Sequence, residues 1–275
     1  STGAEWTYDR ERYERLDTAR AAEQQAMLDY QTTDECRMAF LRRQLDDPSL
    51  TGDADVDRCG KCDNCTGTPL SPDVDAEAVD RTRTRLDRPG LDLAPRRQWP
   101  TGLAKVGVSL SGRITDGPEP GRVLGRLTDP VWGPRLRALV DGDDAPAPDA
   151  LEQACIAVLA GWTWTERPTG VVVMETSRPA LMEDLGARLA RIGRLAPLGT
   201  LRRRPDARPA SGANSAFRVA SLVDAFDAPD LTAHDGPVLL LDLITDTGWT
   251  TTVAARALRA AGADAVLPFV LAARA

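Results

Sequence analysis

The chain has 275 residues, a formal net charge of −7 and an apolar content of 42%, enough to build cores in one to three domains. No apolar run reaches the length of a membrane-spanning helix, so no membrane partner is expected. The acidic balance excludes a chain that grips nucleic acid through bulk charge, and any contact with a polyanion has to come from local basic patches. The phosphate loop G-x-x-x-x-G-K-[ST] is absent, so this stretch has no motor of its own for ATP hydrolysis.

In chain order, Glu11 to Tyr30 reads as a helix with Tyr13, Leu16, Ala19, Met27 and Tyr30 mostly on one face. Thr32-x-x-Glu35 has the form of a capping box. It predicts a second helix from about Thr33 to Leu45 that buries Phe40, Leu41 and Leu45, with Cys36 in its first turn. Cys59-Gly60-Lys61-Cys62-Asp63-Asn64-Cys65 then places three cysteines two residues apart. A tight turn aims three such sulfurs at one point, and Cys36 supplies a fourth. Four thiolates fit tetrahedral zinc in a closed, structural site. Two disulfides are the competing arrangement, disfavoured by the lack of a secretory signal.

These residues also carry a resemblance. Met27-Leu28-Asp29-Tyr30, Cys36-Arg37-x-x-Phe40-Leu41 and Cys59-Gly60-x-Cys62-Asp63-Asn64-Cys65 closely resemble the zinc-binding module that follows the motor in RecQ-type DNA helicases. The resemblance covers about residues 10 to 66. It implies zinc on Cys36, Cys59, Cys62 and Cys65, a platform that steadies the helicase and helps hold DNA, and a bacterial, cytoplasmic, nucleoid-associated setting. With no phosphate loop and no initiator Met, the chain reads as a C-terminal piece whose ATP- and Mg²⁺-dependent motor lies upstream in the parent chain.

Gly67 to Pro72 reads as a linker. Ala76 to Arg88 reads as a helix whose Arg81, Arg83, Arg85 and Arg88 form a solvated face or a phosphate-contacting one. Leu91-Asp92-Leu93 and Val106-Gly107-Val108 suggest short strands, while Leu124 to Leu127 and Pro134 to Val140 suggest helices. Arg96-Arg97-Gln98-Trp99 sets two cations beside a ring. That pattern suits stacking a base or gripping a phosphate, and equally suits a surface pair beside a core Trp. A winged helix over 74–141 has only the analogy of the RecQ family behind it.

Asp141 to Pro148 reads as a second linker. Beyond it, strands alternate with helices: helix Asp149 to Ala160, strand Val171 to Met174, helix Pro179 to Ile192, helix Phe217 to Phe226, strand Val238 to Leu241, helix Thr251 to Ala261 and strand Val266 to Leu271. That alternation implies a parallel sheet covered on both faces. Cys155 reads as a buried apolar thiol, and His234, the only histidine, as a surface residue. Arg202-Arg203-Arg204 is a candidate DNA or phosphate contact, with a solvated loop as the equal alternative.

The second motif is an apolar strand running into Asp242-Leu243-Ile244-Thr245-Asp246-Thr247-Gly248-Trp249-Thr250 and then a helix. Backbone N–H groups and a helix N-terminus at the end of a strand can cradle a phosphate. Over residues 150 to 275 the chain looks like a type I phosphoribosyltransferase. The resemblance implies a phosphate or phosphoribosyl ligand held by Thr247, Gly248 and Thr250. It implies ribose contact by Asp242, pyrophosphate contact by Ser177 and Arg178, a mobile hood over Arg202 to Arg218, and Asp246 as a catalytic acceptor if the site is active. Two departures stand out. Leu243 replaces the second acid of the usual pair, and Trp249 sits where a small residue or Lys is usual, where it narrows the cradle.

The fold class expected is therefore α/β. It comprises a helical four-cysteine zinc module over 1–68, a mixed middle segment over 74–141 that is a candidate DNA-binding domain, and a parallel-sheet phosphoribosyltransferase-like domain over 149–275. The function expected is the DNA-binding accessory region of a RecQ-like 3′-to-5′ helicase in recombination and repair. The alternative is an active phosphoribosyltransferase, or a nucleotide or phosphate sensor, with an appended zinc module.

Overall fold

Residues 8–68, 73–207 and 214–274 are described by the computed structural model of the chain. The contacts divide the chain into two units, residues 1–79 and 80–275. Four residues of the expected linker, 69–72, and part of the expected hood, 208–213, lie outside the described residues.

The first unit is helical. Helix α1 (Arg10–Thr32) opens at Asp9, whose carboxylate accepts from the Arg12 backbone N–H at 3.0 Å. It buries no residue, and Tyr13, Leu16, Met27 and Leu28 stay exposed. Helix α2 (Arg37–Gln44) starts just after Cys36, its N-cap residue, and the Tyr30 and Phe40 rings meet at 5.8 Å. The expected capping box does not form. Thr32 is still in α1, the Thr33 hydroxyl accepts from the Glu35 N–H, and the Glu35 carboxylate turns to Arg43 at 2.8 Å. Leu41 and Leu45, expected inside, are exposed. Helix α3 (Asp63–Thr66) is a single turn between two cysteines and Gly67. Helix α4 (Ala76–Leu86), which runs across the boundary into the second unit, is solvated and buries nothing.

The second unit is built on a seven-stranded sheet. Its strands are β1 (Leu91–Leu93), β2 (Gly121–Arg126), β3 (Gly170–Met174), β4 (Ala196–Arg203), β5 (Phe226–Asp227), β6 (Val238–Thr245) and β7 (Val266–Ala273), in the order β1-β2-β7-β6-β3-β4-β5. The five central strands are parallel, and β1 and β5 close the two edges antiparallel. Strands β6 and β7 are continuous apolar runs because both of their faces are covered, as in parallel sheets generally. Helices α6 (Asp149–Ala160) and α7 (Pro179–Gly193) set Leu151, Cys155, Leu185 and Leu189 against Leu239, Leu241 and Phe269. On the other face α9 (Trp249–Ala260) sets Ala254, Ala255 and Leu258 against Val172, Leu240 and Val266. Burial pushes the Cys155 thiol well above its ordinary value, in keeping with an inert core residue.

The chain runs from β3 through α7 to β4, then returns to lay β6 on the other side of β3 and continues through α9 to β7. The direction of travel reverses between β3 and β6, and the carboxyl ends of strands at such a switch point are where sheets of this kind bind ligands. Helices α7 and α9 cover opposite faces, as two right-handed crossovers running in opposite directions require.

Several expectations change. Residues 74–141 form no separate middle domain, because β1 and β2 extend the same sheet as β3 to β7, and no winged helix is built there. Leu124 to Leu127 falls largely in β2, where Val123 and Leu124 are buried in cross-strand and inter-layer contacts that outweigh local helical spacing. Val106-Gly107-Val108 is no strand. A 3-10 helix at Leu103–Val106 ends there in left-handed Gly107. The helix expected over Phe217 to Phe226 stops at Ala220 in α8 (Ser215–Ala220), and Phe226 belongs to β5. Strand β4 adds to the expected elements, with only Leu201 buried along its length. Pro134 to Val140 does form a helix, α5 (Trp132–Asp141). Among the described residues no helix is long and apolar enough to cross a membrane.

The junction of β2 with β7 is tight. A Cβ on Gly121 would lie 2.5 Å from the Pro268 carbonyl oxygen, and neither backbone can move without breaking the ladder. Gly121→Ala should therefore destabilise the second unit by about 1–3 kcal/mol, measured as a lower urea midpoint with the slope unchanged.

Candidate metal centre and phosphate cradle

The four cysteines meet. Cys36 ends the connection into α2, Cys59 precedes Gly60, Cys62 is the N-cap of α3 and Cys65 lies within that helix. Gly60 takes φ of 68°, a left-handed turn that aims the N–H groups of Lys61 and Cys62 at the Cys59 sulfur, each at 3.4 Å. All four sulfurs lie within 4.8 Å of one another, and those of Cys59 and Cys65 are 4.0 Å apart. A tetrahedron with Zn–S bonds of about 2.3 Å has edges of about 3.8 Å, so the cluster fits a zinc ion with little adjustment. No two of the four cysteines are joined in a disulfide.

The surroundings favour thiolates. Burial raises the Cys36 thiol, but the backbone N–H groups of Ala39 and Cys59 outweigh it and bring its pKa down. Burial likewise raises Cys65, and the Arg58 side chain reverses the sign. The residues between the cysteines hold the shell. Arg37 grips Asp63 through two bonds of 2.6 and 2.8 Å and donates to the Tyr30 carbonyl at 2.7 Å. The Asn64 amide donates to the Thr33 and Glu35 carbonyls, both at 2.7 Å. One end of the α1–α2 connection is thus tied to the cysteine turn. Four cysteines leave no open position for a substrate, so such a metal is structural.

The second site lies at the end of β6. Gly248, with φ of 77°, is the N-cap of α9, whose first-turn N–H groups have no partner within the helix. Arg218 donates to the Thr247 hydroxyl at 3.0 Å and to Asp246 at 3.3 Å. Arg96 donates twice to the Thr247 carbonyl, at 2.8 and 2.6 Å, and lies over the Trp249 ring at 5.1 Å. Trp249 does not narrow the cradle. It is buried in a cluster with Trp99, Val219, Leu222 and Val253, its ring 6.2 Å from that of Trp99. The Trp249 Nε1 and Thr251 Oγ1 atoms are buried there without a partner.

Of the expected ligand-binding residues, Asp246, Thr247, Gly248 and Thr250 sit together in this loop and helix start, while Ser177 and Arg178 follow the adjacent parallel strand β3. Arg178 is turned to structural use, donating to the Val140 carbonyl at 3.2 Å. Asp242 is corrected. It lies inside β6, 5% exposed, because β6 continues through Thr245 against β7. Its carboxylate accepts from the Leu243 N–H at 2.8 Å, and burial pushes its pKa up to about 7 against the lowering by the Leu243 and Ile244 amides. Leu243 is core.

The candidate DNA contacts divide. Trp99 is buried and stacks on Trp249, so it is no platform for a base. Arg96 serves the Thr247 carbonyl, and Arg97 is exposed. The Arg202-Arg203-Arg204 run is no loop. Arg202 and Arg203 are in β4, the Arg203 N–H donates to Glu175, and Arg204 lies between Asp206 and Asp227 at 3.4 and 3.8 Å. His234 is half-buried and meets the Thr169 hydroxyl at 3.1 Å. Arg218, at the cradle, was not singled out by sequence. It follows a helix start, and only the fold brings it to Thr247. Scans against protein-family models and against curated proteins return no match.

Two outcomes are expected. Asn64→Ala should cost the first unit about 1–3 kcal/mol, since it leaves two carbonyls without their donor, while bound metal per chain stays unchanged by elemental analysis. For Asp242, the folded state keeps a proton that the unfolded chain releases, so stability falls as pH rises from about 4 to about 7. Asp242→Asn should flatten that fall, on the order of a few kcal/mol, in urea titrations at successive pH values.

Proposed function

We propose that this chain is the zinc-stabilised, DNA-contacting accessory region of a RecQ-like 3′-to-5′ DNA helicase acting in recombination and repair. Its ATP- and Mg²⁺-dependent motor belongs upstream in the parent chain. The observation that carries the reading is the cysteine cluster with its supports: Arg37, Asp63 and Asn64, three residues of the motif that resembles the RecQ zinc module, hold the shell around four converging sulfurs. The zinc ion supplies cross-linking of a unit whose helices bury little on their own.

The second unit is a phosphoribosyltransferase-like domain with a degenerate site. Its support is the reversal of strand order between β3 and β6, with the Asp246-Thr247-Gly248 turn and the start of α9 at that point. A sugar held for transfer needs a carboxylate pair. Here Leu243 is core and Asp242 is sealed in the strand. The cradle keeps phosphate-binding capacity through α9 and Arg218, and losing one preorganised electrostatic contact costs roughly 10²–10³ in rate.

Protein prepared without chelator should carry one zinc per chain, and Cys62→Ser should abolish it together with the fold of the first unit. Zinc-free yet fully folded protein would refute the module. DNA binding should fall steeply with salt, and no ATP should be hydrolysed. Phosphoribosyl pyrophosphate incubated with the common nucleobases should release little pyrophosphate. Rapid release with any base would promote Asp246 to a catalytic role and the chain to an active transferase.

A further inference from the structure

An open cleft of about 680 Å³ lies between the 95–97 and 113–119 segments and the end of α9, lined by Arg96, Arg97, Arg113 and Arg259 against one carboxylate, Glu119. That carboxylate is already engaged, since Glu119 holds Arg259 at 2.7 Å. Asp116 in the same segment holds Arg256 at 2.7 Å, and the Arg96 guanidinium is on the Thr247 carbonyl. Arg97 and Arg113 remain, both exposed and with no carboxylate partner among the described residues.

The two unpaired cations are held by backbone. Gln98 and Arg113 form a bridge in which the Trp99 N–H donates to the Gly112 carbonyl and the Ile114 N–H to the Arg97 carbonyl, both at 2.9 Å. Trp99 anchors this pair in the core. Guanidinium groups gathered in one cleft repel one another until an anion lies between them, and a phosphate matches their donor geometry. No aromatic ring lines the cleft, so it offers no surface on which a base can stack.

We propose that this cleft is a phosphate-binding site in which Arg97 and Arg113 grip the anion. Two sources carry that group: the backbone of a nucleic-acid strand, and a free phosphorylated small molecule. The site does not depend on the zinc module or on the cradle at Gly248.

The test uses the whole chain and the double variant Arg97→Gln, Arg113→Gln, both at exposed positions, with thermal unfolding and zinc content as checks of integrity. The probes are a labelled thymidine oligonucleotide, followed by anisotropy across a salt series, and inorganic pyrophosphate, followed by calorimetry. The wild type should bind at least one probe. The variant should bind that probe at least about tenfold more weakly, and if it is the oligonucleotide, the salt slope should fall by about 1–2. Loss for the oligonucleotide identifies a strand as the source, and loss for pyrophosphate alone identifies a small molecule. A variant that binds as the wild type does, or a wild type that binds neither probe at about 0.1 M salt, overturns the proposal. Unchanged binding with full zinc content sinks this inference alone, whereas loss of zinc with Arg97 and Arg113 intact bears on the accessory-region reading.

Discussion

The pairing of β6 with β7 is the constraint on which the second unit depends. Both strands are eight residues long and run in register from Val238–Val266 to Thr245–Ala273. They are flanked by strands on both outer edges and by helices on both faces, so their backbone groups have no water to turn to and must pair with each other. That requirement carries β6 past Asp242 and holds the acid in the core, where its ionised form is unfavourable. It also fixes where α9 starts. The turn at Gly248 comes where the ladder ends, and the Trp249 side chain is then carried into the layer under the Arg96 segment.

The first unit rests on a different balance. Helix α1 buries nothing and α2 buries only Ala39. A chain of this length with so little apolar burial needs a cross-link to remain folded. The Arg37–Asp63 and Asn64 bonds place the sulfurs, but net hydrogen-bond contributions of about 1 kcal/mol each cannot replace a core. The cysteines are where the missing stabilisation enters.

Much of this was legible in the sequence, in proportion to how local the signals are. The convergence of Cys36 with the Cys59–Cys65 turn, the buried thiol of Cys155, and the elements α6, β3, α7, β6, α9 and β7 follow from spacing and periodicity, which short stretches of chain encode directly. The glycine-closed turn at the end of β6 was legible for the same reason. The failures are non-local. Leu124 has helical neighbours in sequence but a strand for a neighbour in space, and β2 exists because β7 offers it an edge. Asp242 looked like the end of a strand because the apolar run stops there, yet the ladder goes on. The Arg96 to Trp99 stretch fits a stacking ring and a core Trp equally well, and only the fold, by supplying Trp249 as a partner, decides for the core. Arg113 and Arg97 are sixteen positions apart, and the bridge at Gln98 that joins them has no sequence signature.

The sheet is closed by two very short edges, β1 with three residues and β5 with two. Each runs against its neighbour, and β1 carries Asp92 paired with Arg122 on β2. The charge pair guards the β1 margin, but β5 covers only Arg202 and Arg203 of β4, so among the described residues Ala196 to Leu201 keep an outer edge that no strand pairs. Along that edge Pro197 has no N–H to donate, which makes it a poorer template for edge-to-edge association. A partner that adds a strand to this sheet finds its longest uncovered edge along β4.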